Sequence, residues 1–184
     1  MKTLVRTTFL EMRARQQLRP KLEAPTEVVV LRAMTPSPEL NRYLYTSVGG
    51  DHHWQDRLEW SWGQWMEWLD RPDHETWVMY WAGTPAGYFE LDRQGSAVEL
   101  AYFGLLPAFA GRRLGGYLLT QAVDRAWTMV AGVDRVWVHT CTLDHPAALA
   151  NYLARGFSIY REEETTMELS KQPPGPWAGA ERPR

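Results

Sequence analysis

The chain has 184 residues, 45% of them hydrophobic and 23% charged, with a formal net charge of −2. That balance fits one globular domain and gives no general affinity for nucleic acid, which needs a concentrated basic face. The N-terminus is too polar for a secretory signal, no apolar run would span a bilayer, and the lone Cys141 excludes an internal disulfide and fits a reducing cytoplasm.

Residues 4–10 and 27–32 read as strands, separated by a polar linker through Pro20 and Pro25. Arg6, Arg13, Arg15, Arg19 and Lys21 make this part basic. With Glu11 and Glu23 interleaved, it reads as a solvated surface. Residues 38–48 form a short helix ended by Gly49-Gly50. A longer helix is expected over 54–69, where Trp54, Leu58, Trp62, Trp65 and Leu69 share one sector of a helical wheel and predict its buried face. Trp60 falls on nearly the opposite side. Strands over 75–81 and 86–92 are joined by a hairpin turn at Ala82-Gly83-Thr84-Pro85, and Arg93-Gln94-Gly95-Ser96 turns into a strand over 98–106.

A loop rich in glycine and arginine follows, Pro107-Ala108-Phe109-Ala110-Gly111-Arg112-Arg113-Leu114-Gly115-Gly116, and a helix starts from it. Leu119, Ala122, Val123, Ala126 and Val130 repeat at helical spacing until Gly132. Residues 133–140 read as a strand. A short helix from His145 or Pro146 through Arg155 stops at Gly156, and residues 157–169 make a last, bent or broken strand. The expected fold is a mixed α/β (α+β) single domain over residues 1–170. Residues 171–184, rich in proline and glycine, are expected to be a flexible tail.

The loop carries the first chemical signal. Glycines let backbone approach a ligand, and the first turn of a helix leaves amide N–H groups without partners. With the positive end of the helix dipole and two arginines, they predict a site for a phosphorylated ligand. No Gly-Lys-Ser/Thr follows the glycines, which disfavours a nucleoside-triphosphate P-loop.

Two motifs together resemble the GNAT-type, acetyl-CoA-dependent N-acetyltransferases. One is Ala110-Gly111-Arg112-Arg113-Leu114-Gly115, followed by Gly116, at a strand–helix junction. The other is His145-Pro146-Ala147-Ala148-Leu149-Ala150-Asn151-Tyr152, running into Leu153-Ala154-Arg155-Gly156-Phe157. Residues 98–160 carry nearly all of the resemblance. Ala110 stands where that family usually has Arg or Gln, Arg113 replaces a signature glycine, and His145 stands where Asn is frequent. Arg113, having a Cβ, is expected in a region open to any residue, its guanidinium on a phosphate or in solvent.

The resemblance implies a mostly antiparallel twisted sheet of about seven strands flanked by about four helices. It also implies acetyl transfer from acetyl-CoA to the primary amine of an acceptor, with a homodimer left open and no nucleic acid, membrane or metal involved. Leu105, Gly111, Arg112, Arg113, Gly115, Gly116 and His145 would hold the cofactor, Tyr152 would be the acid, and Glu99 the base. The alternative is a CoA-binding module that senses acyl-CoA without turnover.

An amine of pKa around 10 must lose a proton before attack, and the departing thiolate needs one. Strand alternation puts Glu99, Ala101, Phe103 and Leu105 on one face, with Leu100, Tyr102 and Gly104 on the other. His139 reads as a hydrogen-bonded core histidine and Cys141 as a small buried thiol. Asp51-His52-His53 and Asp73-His74 lack metal-ligand spacing, and the first group falls in the connection where this superfamily admits its acceptor. Trp60 is the candidate for an acceptor wall, a dimer contact, or a site covered by the N-terminal strand. The aromatic density between 43 and 81 points weakly to an aromatic or apolar amine.

Overall fold

A computed structural model describes residues 2–169 and 173–177. Strand β1 (Lys2–Met12) is followed by β2 (Val28–Arg32), helix α1 (Pro38–Gly49) and helix α2 (Trp62–Leu69). A meander of β3 (His74–Trp81), β4 (Thr84–Gln94) and β5 (Ala97–Leu105) leads into α3 (Leu114–Thr128), β6 (Arg135–Cys141), α4 (Ala148–Ala154) and β7 (Ser158–Glu168). They form one seven-stranded sheet in the order β2-β3-β4-β5-β6-β1-β7. All neighbours are antiparallel except β5 and β6. The first strand of the chain is thus inserted between β6 and β7, antiparallel to both, so the α4 connection passes over it.

Helices α3 and α4 pack on one sheet face. Leu118, Leu119, Ala122, Val123 and Ala126 recur every three or four residues and meet Phe89, Leu91, Val98 and Val136 in the main core. Helices α1 and α2 cover the other face. There Leu44 and Val48 meet Val78 and Tyr88, and Tyr45 meets Trp65 and Leu69.

Two expectations change. The helix expected over 54–69 is only α2. Ser61 interrupts it as an N-cap, its hydroxyl accepting from Gln64 N (3.3 Å) while Gln64 Oε1 accepts from Ser61 N (2.9 Å). This reciprocal box is a strong helix start, and residues 54–60 before it are turn and irregular chain. Trp62 consequently sits at the first helical position, 62% exposed rather than buried. Second, the expected strand alternation fails, because Leu91 pairs with Leu100 but Glu90 pairs with Tyr102. Ala101 is the extra residue of a bulge. Glu99 therefore shares the α1/α2 face with Tyr102 and Gly104, while Phe103 and Leu105 join the α3 core. In the tail, Gly175 N donates to Gly50 O (3.0 Å). The rest of that tail lies outside the described residues.

Candidate active site

Strands β5 and β6 pair only at Ala97, Val98 and Glu99, opposite Arg135, Val136 and Trp137. Beyond that point β5 stays with β4 and β6 stays with β1. The seam opens into a cavity of about 910 Å³, walled by Leu100, Tyr102 and Phe103 on one side and Val138, His139 and Cys141 on the other. Parallel strands parted in this way leave backbone donors and acceptors free for an extended, amide-bearing ligand.

The N-terminus of α3 forms a further wall. Gly111 has a φ of 75° and Arg113 a φ of 61°, both left-handed. Arg113 therefore takes the conformation that glycine adopts most readily, against expectation, at a cost of roughly 1–3 kcal/mol for a residue with a side chain. Among the described residues the amides of Gly111, Arg112, Arg113, Leu114, Gly115 and Gly116 donate to no acceptor. Such a run of free donors at a helix start is an anion site.

Two cations absent from the sequence-level site join it. Lys21 Nζ donates to Arg113 O (2.5 Å), and Lys21 N donates to Thr120 Oγ1 (2.9 Å), pinning the linker after β1 onto α3. A Cβ on Gly116 would stand 2.7 Å from Arg155 Nη1, and Arg155 Nε is buried without a partner. Lys21, Arg113 and Arg155 all line the cavity. Lys21 read as surface because nothing local links it to a loop 92 residues later.

The predicted residues divide. Tyr152, Leu105, Gly111, Arg113, Gly115, Gly116 and His145 line the cavity; Glu99 and Arg112 do not. The Arg112 guanidinium lies over the rings of Trp81 (5.1 Å) and Phe109 (5.8 Å). His145 Nδ1 accepts from Ala147 N (3.1 Å) at the start of the α4 turn, and its ring meets His52 edge-on. Tyr152 is 5% exposed, between Phe103 and Phe157, and burial holds its phenol well above the ordinary tyrosine value. A phenol kept protonated beside a cavity can donate a hydrogen bond to a group bound there.

Glu99 stands behind the wall. Its Oε2 accepts from Gln94 Nε2 (2.9 Å), and its Oε1 lies 3.5 Å from Nδ1 of His139. His139 is no core histidine: its side chain is 46% exposed and faces the cavity. The Glu99 contact raises its pKa above the usual value, against the effect of burial. Cys141 is partly buried, and burial raises its thiol pKa, which suits a packing role.

At the other end the segment between α1 and α2 contributes Asp51, His52, His53, Trp54 and Asp56. Trp54 packs on Tyr102 (5.0 Å) and Tyr45 (5.5 Å) and points Nε1 at Asp144 Oδ1 (3.4 Å). Asp51 and Asp56 make no ion pair or hydrogen bond among the described residues. Asp73 pairs with Arg93 and His74 lies against Glu90, so the two sequence clusters are parted.

Trp60 does not line the cavity. With Trp65, Trp68 and Tyr102 it surrounds Arg57, whose guanidinium carbon lies 4.1 to 5.6 Å from the four ring centres. Arg57 in turn donates to fully buried Glu90 (2.8 Å). Of the aromatic residues between 43 and 81, Trp60, Trp65 and Trp68 serve this cage, and among the described residues only Trp54 lines the cavity.

The sequence model of the acetyltransferase (GNAT) family matches residues 38–157. No curated protein sequence matches the chain. Among solved structures it is similar to a GCN5-related N-acetyltransferase from Kribbella flavida, with 17% identity and a TM-score of 0.61 over 86% of this chain and 56% of that one. A GCN5-related N-acetyltransferase from Sphaerobacter thermophilus gives 14% identity and a TM-score of 0.65 over 90% and 51%. The ribosomal-protein-S18-alanine N-acetyltransferase of Escherichia coli gives 16% identity and a TM-score of 0.55 over 71% and 77%. The chain thus spans little more than half of the first two structures. Among the described residues no helix is long and apolar enough to cross a membrane.

Proposed function

The chain belongs to the GNAT acetyltransferase family, and from that premise we propose that it moves acetyl from acetyl-CoA to the primary amine of a small-molecule acceptor, in the cytoplasm. The observation that carries this reading is the parted seam of β5 and β6. It joins the free amides of α3 to the buried Tyr152 phenol in one cavity. The donor set fits a phosphorylated thioester carrier. The amides from Gly111 to Gly116, with Lys21, Arg113 and Arg155, would hold pyrophosphate and phosphate charge, and the open strand edges would hold an amide-bearing arm.

When bound, acetyl-CoA supplies a thioester: the amine nitrogen bonds to the acyl carbon, and the C–S bond breaks with its electron pair leaving on sulfur. The protein's own residues handle the protons and the positioning. Tyr152 donates its phenolic proton to the departing sulfur and recovers one from the nitrogen that becomes the amide. The Glu99–His139 side of the cavity takes the proton released by the ammonium group. Asp51 and Asp56, free of partners, favour a cationic acceptor over the apolar aromatic amine that composition suggests.

The test is thiol release from acetyl-CoA against a panel of polyamines, amino acids, aminoglycosides, arylalkylamines and peptide N-termini. Wild type should turn over a cationic amine. Tyr152→Phe should bind acetyl-CoA normally yet lose about 10²-fold in kcat. Tight acetyl-CoA binding with no turnover of any amine would leave an acyl-CoA sensor instead.

A further inference from the structure

Resting on the acetyltransferase reading, we propose that the proton acceptor is Nε2 of His139 and that Glu99 is a positioning residue acting through it. The bulge at Ala101 carries the argument. It puts Glu99 on the α1/α2 face with Tyr102, in register with Asp92 rather than in line with Phe103 and Leu105; Glu99 stands at the last paired position of the β5–β6 seam, opposite Trp137, and does not line the cavity. The β6 strand puts His139 in the space between. One ring nitrogen faces Glu99, and Nε2 has no hydrogen-bond partner among the described residues.

The four histidines of the cavity are not equivalent. His145 spends Nδ1 on the α4 turn and His52 packs against it, whereas His53 keeps Nδ1 buried and unpartnered. Only His139 has a carboxylate within ion-pair distance. A carboxylate at Nδ1 fixes the proton there and leaves the Nε2 lone pair open to the cavity. Glu99 is itself anchored by Gln94, and Phe9 and Trp137 flank the imidazole at 5.8 and 6.3 Å. The ring is thereby oriented by contacts on several sides.

The charges facing His139 come from three elements besides its own: Glu99 on β5, Asp56 before α2, and Asp144 after β6, all of which favour the imidazolium. From the β1 side it meets the Phe9 ring, which carries the Arg161 guanidinium of β7 at 3.8 Å. Neutral imidazole takes one proton from the acceptor's ammonium, becomes imidazolium, and returns that proton to solvent after transfer. The freed amine keeps its lone pair for attack. Because the surrounding carboxylates hold the imidazole pKa above its usual value, the basic form fills only as pH rises through that raised value.

Two measurements test this. In the ligand-free protein, an NMR titration should show that Glu99→Gln moves the His139 imidazole to a lower pKa. In turnover, His139→Gln should lose about 10²-fold in kcat and the acid-side limb of the pH profile, with acetyl-CoA affinity kept. Glu99→Gln should lose about tenfold and keep the limb, moved to lower pH. A limb that vanishes in Glu99→Gln and survives in His139→Gln would overturn the assignment and make Glu99 the base. An unmoved His139 titration in Glu99→Gln would overturn the coupling on which it rests. Wild type that binds acetyl-CoA but turns over no amine would instead overturn the acetyltransferase reading, and this assignment with it.

Discussion

Two glutamates on the same sheet face occupy opposite kinds of environment. Glu90 on β4 is sealed: it accepts from Arg57 (2.8 Å) and Trp68 Nε1 (2.8 Å), lies 3.2 Å from His74 Nε2, and meets Asn41 Nδ2 (3.1 Å). Four side chains donate to it or lie against it, and the tryptophans close over Arg57, although the nearby Trp65 Nε1 and Tyr88 hydroxyl are buried without a partner. Glu99 on β5 lies next to a cavity whose groups are unspent: the α3 amides, the Tyr152 phenol, the free nitrogen of His139 and the carboxylates of Asp51 and Asp56. Satisfied polar groups fix a structure, whereas unpartnered groups that line a cavity are open to a ligand. The line between framework and site therefore runs between adjacent strands.

The largest effects should come from breaking the sealed side. Glu90→Gln leaves Arg57 buried without its countercharge and should cost about 3–5 kcal/mol of stability in denaturant unfolding, with His139 still titrating normally. The same carboxylate sets an acid limit. Burial works to raise its pKa, but the bonds from His74 and Arg57 prevail and bring it from 4.5 down to about 2. The unfolded chain therefore binds the proton more readily. Stability from this group is complete above about pH 4.5 and is lost as pH falls toward 2, a loss on the order of 3 kcal/mol that Glu90→Gln should abolish. Acid unfolding of wild type and variant at matched pH checks the sign.

On the open side, single removals should leave the fold intact and change binding. Arg113→Ala and Lys21→Ala should each weaken CoA about tenfold, as expected for one lost charge-assisted contact, and leave pantetheine unaffected. Calorimetry with both ligands separates a phosphate role from general damage. Equal losses for CoA and pantetheine would mean that these cations hold the cavity wall and not a phosphate.

The contrast also accounts for what could be read in the sequence. The α3 loop and the Tyr152 helix were legible because helix starts, glycines and a short motif are local. Most strands followed from alternation, and the seven-stranded mixed fold from the family resemblance. What escaped depended on chain-distant pairing. Lys21 reaches Arg113 only because the linker after β1 folds over α3, and the Ala101 bulge exists only in register with β4. Glu99 was expected in line with Leu105, but one unpaired residue put it on the α1/α2 face, and it is His139 beside it that lines the cavity. The inserted position of β1 between β6 and β7 has no sequence signal, since both partners come from the far end of the chain.

The smallest expected effect bears on the tryptophans. A helix running from 54 to 69 would bury Trp62 on the same stripe as Trp65, and both replacements would then be severe. With α2 starting at the Ser61 cap, Trp62 is 62% exposed and Trp65 only 1%. Trp62→Ala should therefore change stability by no more than about 0.5 kcal/mol, as for surface positions generally, while Trp65→Ala joins the core losses of the Glu90 side. Ser61→Ala offers a check on the same start: it should cost about 1 kcal/mol through the lost cap and should leave thiol release with the preferred amine unchanged. A large loss at Trp62 with none at Ser61 would mean that the helix begins earlier. The Arg57 cage would then need a different backbone, because Arg57 reaches both Glu90 and Trp60 from the segment before Ser61.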